Sequence, residues 1–299
     1  MSRIFFEEGN SKLKARVWLI LCGICALILV AAIGIFSGNS DDNDNTESTE
    51  EEIVQKAPIQ KVYNFPSADV ENDLLKIATS VADTDKKICY LTFDDGPTQE
   101  VTPKVLEVLR QYDVKATFFV LGKMLDTNRE IGRQVFEEGH LLANHSYYHQ
   151  YGELYATGES FMAEIEKTER LICEVTGEEA FKLMRFPGGG HNAGTYAAQK
   201  QEYKQLLKEK GYYFVDWNCL NGDAEAALRS ADELVARVKE TAIGKNLVIL
   251  MHDAAAKKTT PDALGEIIEY LKGQGYEFKR LDDIDYYAEP EVEENSMIL

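Results

Sequence analysis

The stretch Lys87-Ile-Cys-Tyr-Leu-Thr-Phe93, followed by Asp94-Asp95-Gly96-Pro97, decides how the rest of this 299-residue chain is read. Its first seven residues are rich in β-branched and aromatic types, the composition of a buried strand, and Gly-Pro breaks the run before a helical pattern begins near Thr98. Two adjacent carboxylates therefore arrive at the C-terminal end of a strand. In α/β folds that is where functional groups collect. Taken by themselves, the four residues read more simply as an Asp-Gly turn with solvated acids.

Outward from this strand, short β-rich runs alternate with amphipathic helical stretches. The strands are expected at 88–93, 116–121, 141–143, 182–185, 212–217, 246–251 and 277–281, and the helices at 98–112, 127–138, 159–176, 195–210, 230–242 and 260–274. Glycines such as Gly177 and Gly211 fall where helix C-caps belong. Strict alternation implies parallel strands with crossover helices. The expected fold is α/β: a distorted, incomplete (β/α) barrel of about seven parallel strands, ahead of an open doubly wound sheet.

The residues that carry chemistry lie at or just after the strand ends. Asn144-His145-Ser-Tyr-Tyr-His149 follows the third strand, and two histidines four apart share a face if the segment turns helically. With a carboxylate from Asp94-Asp95 they make a two-histidine, one-carboxylate metal site with open coordination. Arg185-Phe-Pro-Gly188-Gly-Gly190 follows the fourth strand, Asp216-Trp217-Asn218 the fifth, and Leu250-Met-His252-Asp253 ends the sixth. Each has a bland reading as loop or core. Their convergence on one end of the sheet favours a site.

Thirty-two basic against 51 acidic residues, net −19, exclude a nucleic-acid partner, which needs a cationic footprint. Residues 17–36 carry no charge, enough to cross about 30 Å of hydrocarbon as a helix. Arg3, Lys12, Lys14 and Arg16 precede this run and acids follow it, so the N-terminus is placed in the cytoplasm and the bulk of the chain outside. The expected organisation is a cytoplasmic tail at 1–16, a transmembrane anchor at 17–36, an acidic extracellular linker at 37–85, a catalytic domain at 86–285 and an acidic tail at 286–299. A cleaved signal releasing a secreted protein is the alternative to the anchor. Residues 53–85, with a helix expected at 72–81, belong either to the stalk or to the domain. Cys22 and Cys25 fall in the apolar run. Of the three others, Cys89, Cys173 and Cys219, buried thiols are expected ahead of one disulfide.

Thr92-Phe-Asp-Asp-Gly96, His145-Ser-Tyr-Tyr-His149, Arg185-Phe-Pro-Gly188, Asp216-Trp217 and Leu250-Met-His252 together resemble the five ordered motifs of the polysaccharide deacetylase family, carbohydrate esterase family four. The resemblance spans about 200 residues. It implies a metal-dependent hydrolase in which Asp95, His145 and His149 bind the metal, zinc first, with cobalt or another divalent ion as alternatives. It also implies Asp94 as general base held by Arg185, His252 as general acid supported by Asp216, and Trp217 with Leu250 as the pocket for the acetyl methyl. Many members carry an aromatic residue where this chain has Gly188, whose backbone N–H is the expected oxyanion donor. His140 is taken as structural and His191 as a groove residue. The implied substrate is an extracellular acetylated glycan, with peptidoglycan N-acetylglucosamine first. Exopolysaccharide, chitin oligomers or O-acetyl xylan are the alternatives, and a non-catalytic glycan-binding module is the rival from another class. No protein partner is indicated.

Overall fold

A computed structural model describes residues 72–80 and 86–284. The anchor expected at 17–36, the tails at 1–16 and 286–299 and most of the linker lie outside the described residues. Among those described, no helix is long and apolar enough to cross a membrane.

Eight strands form one sheet among the described residues: β1 (Lys87–Asp94), β2 (Thr117–Val120), β3 (Leu141–Asn144), β4 (Leu183–Met184), β5 (Tyr213–Phe214), β6 (Cys219–Leu220), β7 (Asn246–His252) and β8 (Tyr276–Phe278). All ladders are parallel, in the order β5-β4-β3-β2-β1-β7-β6. β7 flanks β1 from Ile88 to Asp94, while the other edge of β1 is shared between β8 at Lys87 to Cys89 and β2 at Thr92 to Asp94. Helices Thr102–Gln111, Arg129–Glu137, Gly158–Thr176, Ala197–Glu209, Ala231–Thr241 and Thr260–Gly273 fill the expected places to within a few residues. Thr157 and Ser230 accept from the backbone N–H three residues on and so cap two of them, each cap contributing about 1 kcal/mol.

The curl of the sheet follows from one short connection. β5 and β6 end the path, and a flat seven-strand sheet would hold them about 29 Å apart. Five Cα steps from Phe214 to Cys219 span at most about 18 Å, so the sheet must bend towards a barrel. Val215 N–H donates to the Met184 carbonyl beside β4, and Asn218 N–H donates to the Val248 carbonyl of β7. The single strand expected at 212–217 is therefore two strands, because the chain leaves one ladder and joins another while still extended. Among the described residues, this is the only place where two strands follow one another without a helix between them.

Period-two side chains divide the core. Cys89, Leu91 and Phe93 with Leu247, Ile249 and Met251 face the helices. Tyr90 and Val248 face inward, with Phe119, Ala143, Leu183 and Tyr213. Thr92, Asp94, Leu250 and His252 lie on that inner face by the same alternation. The segment at 72–80 also packs here: Leu74 and Ala78 are buried in the inner cluster, and Phe214 N–H donates to the Asn72 carbonyl. This part of 53–85 therefore packs on the barrel. Cys89, Cys173 and Cys219 are free thiols, two buried and Cys173 half-buried.

Candidate active site

Register places the first pair of functional groups. Asp94 and His252 are Cα partners across β1 and β7, so two inward-facing polar side chains stand together at the sheet's C-terminal end. Arg185 follows the last residue of β4 and is fully buried. It donates to Asp94 Oδ1 at 2.8 Å, Thr92 Oγ1 at 2.7 Å, and the carbonyls of Val215 and Asp216 at 3.2 Å each, while its guanidinium lies 4.3 Å over the Phe119 ring. A buried charge is tolerated only when paired and hydrogen-bonded in this way. Burial pushes the Asp94 carboxyl up against the pull of Arg185 and His252. Its other oxygen, Oδ2, stands 3.7 Å from His145 Nε2.

Asp95, His145 and His149 offer ligand atoms within 4.8 Å of one another. His145 follows β3 directly. Its Nδ1 lies 2.8 Å from the Arg185 carbonyl, which can only accept, so Nδ1 carries the proton and Nε2 keeps a lone pair for a cation. Burial pushes its pKa down to about 3, which keeps the ring neutral. His145 Nε2 and His149 Nε2 approach Asp95 Oδ1 at 3.6 and 3.7 Å. That oxygen is buried without a hydrogen-bond donor, the condition of a carboxylate shaped for a cation. The donor set therefore fits a divalent metal. The segment at 145–149 does not turn helically: Ser146 (φ 70°) and His149 (φ 60°) are left-handed, as is Asp95 (φ 75°). Such backbone persists where its surroundings enforce it, typically at functional sites. Glu164 does so by accepting the N–H groups of Tyr147 and Tyr148. Asp253 crowds Gly96, where a Cβ would lie 2.0 Å from its Oδ2, so only glycine fits this turn.

The carboxylate on His252 differs from the one expected. His252 Nδ1 donates to Asp223 Oδ1 at 2.7 Å, and His252 N–H donates to Asp223 Oδ2 at 2.8 Å. Burial lowers the basicity of His252, but the hydrogen bond and charge of Asp223, helped by Asp94 and Asp95, hold its pKa up at about 9. Burial likewise opposes ionisation of Asp223, and the His252 hydrogen bond and charge outweigh it, leaving that carboxyl below its ordinary value. Asp216 instead accepts from the N–H groups of Gly190 and His191, both at 2.7 Å, and so ties down the glycine loop. Trp217 is half-buried, 5.7 Å from the Arg185 guanidinium, and Leu250 is buried two residues before His252.

His140 sits at the opposite end of β3, where its Nδ1 accepts the Ala116 N–H, as a structural residue would. His191 bonds Asp73 Oδ2 through Nε2 at 2.7 Å, tying the glycine loop to the segment that precedes the barrel. Sequence reasoning missed Asp223, Glu164, Thr92 and Lys200, whose Nζ donates to the Gly189 carbonyl at 2.7 Å. The Asn221-Gly-Asp223 turn after a short strand was the one available hint of Asp223.

The family model for polysaccharide deacetylase matches residues 81–206. A peptidoglycan-N-acetylglucosamine deacetylase of Bacillus cereus is 33% identical over 209 residues, 68% of this chain and 90% of that protein. The chain belongs to the polysaccharide deacetylase family. As a polysaccharide deacetylase it is a hydrolase of carbon–nitrogen bonds acting on an acetylated polysaccharide. A Listeria monocytogenes peptidoglycan-N-acetylglucosamine deacetylase is also 33% identical, over 77% of this chain, which spans 47% of that longer relative. Among solved structures, a Streptococcus mutans CE4 esterase superposes with a TM-score of 0.61 at 30% identity, covering 69% of this chain and 89% of the other. Asp95, His145 and His149, the group able to hold a metal ion, are consistent with the metal site of that family.

Proposed function

We propose that this deacetylase removes the acetyl group from N-acetylglucosamine units of peptidoglycan, outside the cytoplasmic membrane, with zinc in the Asp95, His145 and His149 site. The observation that carries the chemistry is the pairing at one strand end of a base held by an arginine with a histidine held protonated by a carboxylate. The substrate rests on the two peptidoglycan-acting relatives. The location rests on the uncharged run at 17–36 and on Arg3, Lys12, Lys14 and Arg16 before it.

Asp95, His145 and His149 would hold a divalent cation, which when bound would supply Lewis-acid chemistry and lower the pKa of a water. Asp94 would take the proton of the attacking water on Oδ2, its Oδ1 being committed to Arg185. The Gly188 N–H donates to no acceptor among the described residues, and is available to the oxygen that gains charge. An amine is a poor leaving group as an anion, so His252 gives the departing nitrogen its Nε2 proton. Arg185 fixes Asp94, Asp223 fixes His252, and Asp216 fixes the glycine loop.

The deciding experiment measures acetate released by the zinc-loaded protein from peptidoglycan, chitin oligomers, an acetylated exopolysaccharide and O-acetyl xylan. Fastest release from peptidoglycan is expected. Release from O-acetyl esters alone would overturn the N-deacetylase reading, and none from any polymer would overturn the hydrolytic one. Protease added to intact cells should digest the chain beyond Ser37 and spare the N-terminal tail; a protected barrel would sink the location.

A further inference from the structure

Large apolar side chains are exposed at only four positions among the described residues: Tyr148, Tyr151, Leu228 and Ile243. Tyr151 is the one of these that stands over the site. It begins the short helix Tyr151–Leu154, two residues after the metal-site histidine His149, and its ring lies 5.2 Å from that imidazole and 6.3 Å from Tyr196. Its hydroxyl covers Gly188: a Cβ added there would lie 2.8 Å from Tyr151 Oη and 3.2 Å from Cζ. Gly188 also has φ 75°, so a side chain at that position would be strained as well as blocked. The Gly188 carbonyl is occupied by Asn192 Nδ2 and Lys200 Nζ. The Gly188 N–H and the Tyr151 hydroxyl, by contrast, have no partner among the described residues.

An exposed aromatic face, a free phenol and a free amide N–H therefore meet beside Asp95, His145 and His149. A pyranose matches that set, since its C–H face packs on an aromatic ring and its hydroxyls accept and donate hydrogen bonds. We propose that Tyr151 is a substrate-positioning residue, its ring forming the cleft wall over Gly188 and its hydroxyl bonding the sugar unit that carries the acetamido group. This rests on the N-deacetylase reading above. The wall is thus supplied by the loop that carries His149, so one short segment sets both a metal ligand and the sugar's position.

The test uses the full zinc-loaded chain with a soluble tetramer of N-acetylglucosamine and, as a substrate without a sugar, 4-nitrophenyl acetate. Tyr151→Phe keeps the ring against His149 and removes only the hydroxyl, so metal content should stay at the wild-type level. KM for the tetramer should rise about fivefold, the worth of one neutral hydrogen bond, with a smaller change in kcat and a smaller effect on the aryl ester. Tyr151→Ala should raise that KM by a further factor of about five to ten. An unchanged KM in Tyr151→Phe overturns the proposal, and so do equal losses on both substrates, which would mark a residue that merely supports His149. Should the wild type release no acetate, the functional reading fails, and calorimetric binding of the tetramer still decides this one. Weaker binding by Tyr151→Phe supports it; equal binding, or none by either protein, overturns it.

Discussion

His140 and His145 lie at opposite ends of β3, five residues apart, and both are buried and neutral, with pKa values pushed down to about 4 and about 3. Burial does not distinguish them. His140 Nδ1 accepts the Ala116 N–H, and its ring packs edge-on against Phe118 at 5.5 Å, so its commitments are to the fold. His145 Nδ1 donates to the Arg185 carbonyl, which leaves Nε2 facing two carboxylates 3.6 and 3.7 Å away. The free lone pair and what it faces separate a ligand from a structural residue. The same contrast holds between the two ends of the sheet. At the C-terminal end Asp94, Asp95 and His252 each keep one polar atom uncommitted to the protein, an arrangement that costs stability and that function explains.

The largest expected effect tests this contrast directly. His145→Ala, His149→Ala and Asp95→Ala should each lower bound zinc and reduce acetate release by more than the roughly 10² to 10⁴ that loss of an acid or base costs. His140→Ala should keep its zinc. Elemental analysis of the purified variants checks this, and unchanged zinc in all three ligand variants would mean that the site is wrongly assigned.

Next in size is His252. With its proton gone, a sugar acetamide cannot expel its nitrogen, whereas an aryl acetate leaves as a stable phenoxide. His252→Ala should lose on the order of 10² to 10⁴ on the acetamide and much less on the aryl ester, while Asp94→Asn should impair both. Equal losses for His252→Ala would make the histidine a positioning group.

Asp223 and Asp216 sharpen the comparison further, because the family resemblance implies Asp216 as the support of His252, whereas Asp223 is the carboxylate hydrogen-bonded to that imidazole. His252 is held at about 9 with Asp223 as its hydrogen-bonded partner, so the rate should fall on the alkaline side as pH rises through about 9. In Asp223→Asn that limb should move down towards the ordinary histidine value near 6.5, costing up to about 30-fold at pH 8. Asp216→Ala frees the N–H groups of Gly190 and His191 and should cost on the order of tenfold through a displaced loop, with the limb unmoved. A limb that shifts only in the Asp216 variant would reverse the assignment.

The legibility of these features follows their range along the chain. Period-two and period-3.6 patterning is local, and β1, β7 and most helices follow from it within a few residues. Asp94, Asp95, His145, Arg185 and His252 are legible because each sits next to a strand end that the pattern marks. The partner of His252 depends on how a loop folds back after β6, and no local pattern encodes that. Val215 continues the apolar run past Phe214, so the change of ladder at 215–218 leaves no mark in the sequence. The left-handed turns at Ser146 and His149 are hidden for a similar reason: the i, i+4 spacing suits a helix, and backbone N–H bonds from Tyr147 and Tyr148 to the distant Glu164 set the turn instead.

The smallest effect belongs to His140. His140→Ala leaves the buried Ala116 N–H without an acceptor and should cost about 1 to 3 kcal/mol of stability near pH 7. Because the folded protein holds this imidazole down at about 4 against 6.5 unfolded, the unfolded chain binds more protons between those values. The wild type therefore loses stability as pH falls from about 6.5 to about 4 and levels off below. The alanine variant has no such group, so the gap between the two proteins should narrow over that interval. Denaturant unfolding of both zinc-loaded proteins at pH 7 and pH 5 measures it. A gap of constant size would mean that His140 titrates alike in both states, and the distinction drawn between the two ends of β3 would then rest on His145 alone.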